Sequence, residues 1–172
     1  MFAVEIAGGL AAGSASLLAD AIDFAGDAAN YGLSLAVLTM ALTWRARAAL
    51  LKGLTMGAFG LFVLGRAGYG AWSGVPPEPL TMGVIGALGF AANVGVAALL
   101  YAYRNGDANM RSVWLCTRND ALGNIAVMLA ALGVLGSASV WPDLAVAVAM
   151  ALLALHSARS VIAQARSELS AA

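Results

Sequence analysis

The sequence predicts an all-α membrane protein, a polytopic bundle of helices, and three observations carry that expectation. The first is composition: 62% of the 172 residues are hydrophobic and 10% are charged, whereas a soluble domain carries roughly 25% charge. Mean hydropathy is +0.86. The second is the recurrence of apolar runs of about 20 residues, the helix length that crosses a hydrocarbon core. The third is 20 glycines among many alanines, a composition suited to helices that pack closely in lipid. Net charge is zero, so charge balance gives no reason to expect a nucleic-acid partner. The single cysteine, Cys116, excludes an intrachain disulfide framework. Residues 1–10 contain Glu5 and no basic start, so they do not read as a signal peptide.

Taken in order, the spans are expected at about 14–43, 49–72, 80–103, 110–135 and 140–162. A short apolar piece, 1–12, precedes them; it is too short to cross the bilayer and reads as a truncated first helix. The expectation is one transmembrane domain over 1–172, with no soluble domain after the last span. Breaks are read at Trp44-Arg45-Ala46-Arg47, at Ser73-Gly74-Val75-Pro76-Pro77-Glu78-Pro79, at Arg104-Asn105-Gly106-Asp107 and at Gly136-Ser137-Ala138-Ser139. Basic residues set the orientation. Arg45, Arg47 and Lys52 flank one loop, Arg104 and Arg111 another, and Arg159 and Arg166 lie in the tail. The intervening loops carry neither lysine nor arginine, and only Arg66 goes the other way. The C-terminus is therefore expected in the cytoplasm, and a bacterial inner membrane is the expected location.

Asp20, Asp23 and Asp27 interrupt the first of these spans. A carboxylate at bilayer depth costs about 2.5–3.5 kcal/mol even on the lenient insertion scale. Their spacing of i, i+3, i+7 places all three on one helical stripe. Such a stripe calls for a positive charge inside the membrane, most simply a divalent metal ion. A second pair, Cys116 and Asp120, also stands four apart, and Asn124 continues that face by another turn. Two helices each offering two ligands supply the four donors of a tetrahedral transition-metal site. Three carboxylates and a thiolate suit Zn²⁺ or Cd²⁺, because sulfur disfavours Mg²⁺ and Ca²⁺.

The remaining polar residues have plainer readings. Asp20, nearest the outer end, fits a helix cap as well as a ligand. Asn30, Ser34 and Asn93 read as interhelical hydrogen-bonding groups. Glu5 is expected to be partly exposed if the first helix is truncated. Arg118 lies about 100° or more round the helix from its neighbours Cys116 and Asp120 and suits snorkelling or pairing with a carboxylate. His156, the only histidine, reads as interfacial.

The segment Ser14-Ala15-Ser16-Leu17-Leu18-Ala19-Asp20-Ala21-Ile22-Asp23, followed by Asp27, resembles the second transmembrane helix of cation diffusion facilitators. There the pattern runs S-x-S-L-L-A-D-A-x-[HD]-x-x-x-D. Cys116 and Asp120 match that family's second paired motif, in its fifth helix, and Trp141-Pro142-Asp143 is similar to its entry into helix six. The resemblance covers nearly the whole chain. It implies a six-helix exporter of divalent metal ions, typically a homodimer, that exchanges metal for protons. It also implies that Asp23, Asp27, Cys116 and Asp120 hold the transported ion. Three departures stand out: a cysteine where histidine or aspartate is usual, no cytoplasmic metal-binding domain, and Trp44-Arg45-Ala46-Arg47 where an accessory metal site is usual.

The expectation is thus a transporter that carries zinc or cadmium, with cobalt as a further candidate, out of the cytosol by proton antiport. No cofactor is expected, and the partners are the metal ion, protons, the lipid bilayer and a second copy of the chain. Two rivals belong to other classes: an intramembrane enzyme using paired aspartates, and a non-transporting membrane subunit whose aspartates meet a partner's cations.

Overall fold

A computed structural model describes residues 1–37, 42–101 and 108–170. Among them lie six helices and no strand: α1 (Phe2–Ala12), α2 (Ala15–Val37), α3 (Leu42–Ser73), α4 (Pro79–Leu100), α5 (Ala108–Ser137) and α6 (Trp141–Ser170). Four stretches are long and apolar enough to cross a membrane: Ala46–Ser73, Pro79–Leu99, Asp120–Ser137 and Trp141–Ser170. At 23 residues α2 matches them in length, at about 35 Å, but its three aspartates set it apart in composition.

Two boundaries differ from the sequence reading. Trp44-Arg45-Ala46-Arg47 is not a break but the first turns of α3. The segment contains no glycine or proline to stop a helix, and the Arg47 guanidinium lies 5.2 Å from the centre of the Trp44 ring, one turn back. The last helix also runs on past residue 162 to Ser170, with Gln164 Nε2 donating to Glu168 Oε1 at 2.9 Å along its exposed side. The break expected at 104–107 lies outside the described residues.

Turn chemistry explains the hairpins. Gly13 ends α1 in the left-handed region (φ 70°), where the chain can reverse without a Cβ clash, and the Ser14 N–H returns to Gly9 O at 3.0 Å. Ala138 makes the corresponding left-handed step (φ 50°) between α5 and α6. Glu78 caps α4: its Oε1 accepts from Leu80 N at 3.0 Å and its Oε2 from Thr81 N, with Pro79 at the first helical position. The Thr81 and Leu80 hydrogen bonds hold the Glu78 carboxyl below its ordinary range.

Small residues set the helix pairing. A Cβ on Gly53 would lie 2.7 Å from Ile162 Cγ1, one on Gly57 3.7 Å from Ala158 Cβ, and one on Gly60 3.0 Å from Leu155 Cγ. This ladder runs antiparallel, and it brings the α3 and α6 backbones close together. On the other side, Gly83 faces Ala131, and Gly86 faces Val127 and Met128, so α4 and α5 are likewise antiparallel. The Glu78 N–H bonds to Ala12 O at 2.9 Å and Gly8 abuts Ile85, which places α1 antiparallel to α4. Trp72 and Trp141 are exposed at one end of the bundle, and Trp44 and Tyr101 at the other. Exposed leucines fill the band between, including Leu61, Leu88, Leu129, Leu132 and Leu152. Aromatic girdles around an apolar belt are the surface of a protein embedded in lipid.

Candidate functional site

The start of α2 is built from polar groups that two distant segments bring together. Asp143, at the beginning of α6, takes hydrogen bonds from Ser14 Oγ at 2.6 Å, Ser16 Oγ at 2.6 Å and Ser16 N at 3.1 Å on Oδ1, and from Ala15 N at 2.8 Å on Oδ2. Ser14 Oγ in turn accepts from Leu17 N at 3.1 Å. The free N–H groups that open any helix are thus satisfied here by one carboxylate from another helix. Its negative charge also sits at the positive end of the α2 dipole. All of these side chains are buried.

One and a half turns into α2 lies Asp20, 2% exposed. Its Oδ2 accepts a hydrogen bond from Asn124 Nδ2 on α5, and Asn124 Oδ1 accepts from Asn93 Nδ2 on α4 at 3.4 Å. The neighbouring Gly123 lets the carboxylate approach, since a Cβ there would stand 3.4 Å from Asp20 Oδ1. Asp20 is therefore turned into the bundle and caps no helix; it is an interhelical anchor between α2 and α5. Asp23 and Asp120 lie within electrostatic reach of it.

Glu5 of α1 is fully buried, not partly exposed, and neither of its carboxylate oxygens has a hydrogen-bond partner. Its Oε1 rests against Gly89 of α4 beside Asn124 Oδ1: a Cβ on Gly89 would be 2.8 Å from the first and 2.6 Å from the second. Glu5, Asp20, Asn93 and Asn124 therefore form one buried polar core where four helices meet.

Of the residues expected to bind metal, Asp23 is exposed on α2 and Asp120 half-buried on α5. The side chains of Asp27 and Cys116 lie outside the described residues; their backbones belong to α2 and α5. Among the described residues, no three metal-ligating side chains converge on one point. The side chains of Asn30, Ser34 and Arg118 are likewise outside the described set. His156 is exposed on α6. Two residues central to this geometry, Glu5 and Asp143, were legible only as acids in apolar surroundings, which is itself a signal for a buried polar contact.

Six helices around a buried carboxylate and amide core, with an apolar belt outside, define an integral membrane protein with a polar interior. The chain belongs to the cation efflux family: the sequence pattern of the cation efflux transmembrane domain matches residues 1–170, and membership makes it a metal cation transporter. No curated protein matches the sequence.

Proposed function

We propose that this protein exports a divalent transition-metal ion, zinc or cadmium, from the cytosol in exchange for protons, and that Asp23, Asp27, Cys116 and Asp120 hold the ion in transit. The hydrogen bond from Asn124 to Asp20 carries this reading. The Asp143 clamp puts the start of α2 beside the start of α6, and hence beside the end of α5, so α2 and α5 run antiparallel. Starting from the Asp20–Asn124 pair, each turn toward the α2 C-terminus is matched by a turn toward the α5 N-terminus. Carried on by helical spacing alone, this register supports pairing Asp23 with Asp120 and Asp27 with Cys116. The charge interaction of both Asp23 and Asp120 with Asp20 agrees with this register.

Three carboxylates and one thiolate match zinc and cadmium in ligand number and softness. Metal binding requires these groups deprotonated, so protons compete with the ion and flow opposite to it. Arg45, Arg47 and Lys52 near the start of α3 and Arg159 and Arg166 near the end of α6 support a cytoplasmic C-terminus; a bacterial inner membrane and a homodimer complete the reading. The test is transport into proteoliposomes with Zn²⁺, Cd²⁺, Co²⁺, Fe²⁺ and Mn²⁺ under imposed proton gradients. Zinc or cadmium flux that collapses in Asp23→Ala and Asp27→Ala, with both variants still folded, is the expected result. Normal flux in either variant would overturn the four-ligand site, and flux indifferent to the proton gradient would overturn the exchange.

A further inference from the structure

We propose that Glu5 is a proton-carrying residue of this protein, held as the neutral acid in the present conformation with its O–H directed at Asn124 Oδ1. Two features of the packing call for a proton there. First, Glu5 has no exposed surface and neither oxygen meets a donor, and an isolated ionised carboxylate in such a place pays the full desolvation cost. Second, the polar atom that shares the space above Gly89 with Glu5 Oε1 is an acceptor, Asn124 Oδ1. Its orientation is fixed because the same amide gives its N–H to Asp20 and takes one from Asn93. Both atoms beside Gly89 are acceptors, and a proton on Glu5 turns one of them into a donor for the other.

The charged groups around Glu5 can be named for each element packed on α1. On α2 it is Asp20, itself within reach of Asp23 and of Asp120 on α5. The α4 segment contributes Asn93 and no ionisable side chain, and on α1 itself there is the Met1 amino group. Burial comes first in favouring the neutral form of Glu5, the Asp20 carboxylate adds to it, and the Met1 amino group opposes it. The Glu5 proton can pass to water only when the contact of α1 with Gly89 opens, since the group is dry as packed. Its release is thus tied to a movement between α1 and α4, which metal binding must drive if this proton is the one exchanged. The part that this proton plays in export rests on the exchange reading above; the protonation state itself does not.

Infrared difference spectroscopy of the whole protein in bilayers, without metal and at neutral pH, tests the assignment. The expected result is a protonated-carboxyl C=O band that disappears in Glu5→Gln, a change that preserves shape and neutrality and so keeps the fold. An identical band in both proteins would overturn the proposal. Gly89→Ala gives an independent reading, because its Cβ pushes Glu5 Oε1 and Asn124 Oδ1 apart. The band should then move to the higher frequency of a free acid, and an unmoved band counts against the proposal. Zinc titration calorimetry in buffers of different ionisation enthalpy separates the two readings. If the wild type binds zinc, Glu5→Gln should bind it equally and release about one proton fewer per ion; an unchanged proton count would deny Glu5 its part in exchange. If the wild type binds no zinc, cadmium or cobalt, the export reading fails while the infrared result still decides the state of Glu5.

Discussion

Replacing Asp143 with alanine should loosen the end of the bundle where α2 and α6 begin, and the hydrogen bonds there give the size of the effect. The carboxylate takes four hydrogen bonds from Ser14, Ala15 and Ser16, which are 0%, 3% and 0% exposed. Once it is gone, the two hydroxyls can pair with each other, because their oxygens already lie 3.3 Å apart. The main-chain N–H groups of Ala15 and Ser16 have no such alternative. A stranded buried donor costs about 1–3 kcal/mol, so the pair should cost about 2–6 kcal/mol. Asp143→Asn retains one acceptor oxygen for the hydroxyls and Ser16 N, and strands the Ala15 N–H alone; about half the loss is expected. Reversible unfolding in mixed detergent micelles measures both variants. A loss below about 1 kcal/mol for the alanine variant would show that the clamp is incidental and that packing alone seats α2 against α6.

Three other outcomes follow from the same structure. Gly53→Val should force α3 off α6, since its Cβ would meet Ile162 Cγ1 at 2.7 Å and Ala158 O at 3.3 Å; a destabilisation of about 1–3 kcal/mol is expected, against no loss for Gly65→Ala, where the space is open. Equal stability of the two variants in micelle unfolding would refute the ladder. Because hydrogen bonds from Thr81 and Leu80 lower the Glu78 carboxyl in the folded state, its capping contribution is present above the unfolded carboxylate range and is lost as pH falls through the folded value. Thermal unfolding of Glu78→Gln should therefore vary less across that acid range than wild type, and parallel curves would exclude the cap. Cys116→His should maintain or raise zinc transport while lowering that of cadmium, and an unchanged ratio in the liposome assay would reduce Cys116 to packing.

Much of the fold was legible because membrane helices advertise themselves through length and hydropathy. The turns at Gly13, at 74–78 and around Ala138 fell where glycine, proline and serine cluster. What misled at Trp44-Arg45-Ala46-Arg47 was charge: two arginines look like a loop, yet nothing in that segment disfavours the helix, and Arg47 covers Trp44. The polar core was half legible. The stripe of Asp20, Asp23 and Asp27 and the face of Asp120 and Asn124 followed from spacing, but spacing does not say which level of one helix meets which level of another. That register depends on the pairing of Asp20 with Asn124, residues 104 apart in the chain. Likewise Asp143 looked like a residue at a helix entry, and its service to Ser14 and Ser16, 129 and 127 residues away, is a property of the assembled bundle.

These polar contacts also restrict how the helices can move. In hydrocarbon a broken hydrogen bond finds no water to replace it, so parting α2 from α6 at Asp143, or from α5 at Asn124, would strand groups at a cost that lipid cannot offset. The first half of α2 is therefore held at both points to α5 and α6. The α3 and α6 interface, by contrast, is a ladder of glycine against alanine, isoleucine and leucine, where sliding trades one apolar contact for another. Glu5 sits on the remaining seam, between α1 and α4, and neither of its oxygens meets a donor. Under the proposal above, a neutral Glu5 stays at Gly89 with its O–H toward Asn124 Oδ1, whereas an ionised one would be driven out toward water. On that proposal the protonation of one residue favours the closed seam between α1 and α4, while the clamped face of α2 stays in place.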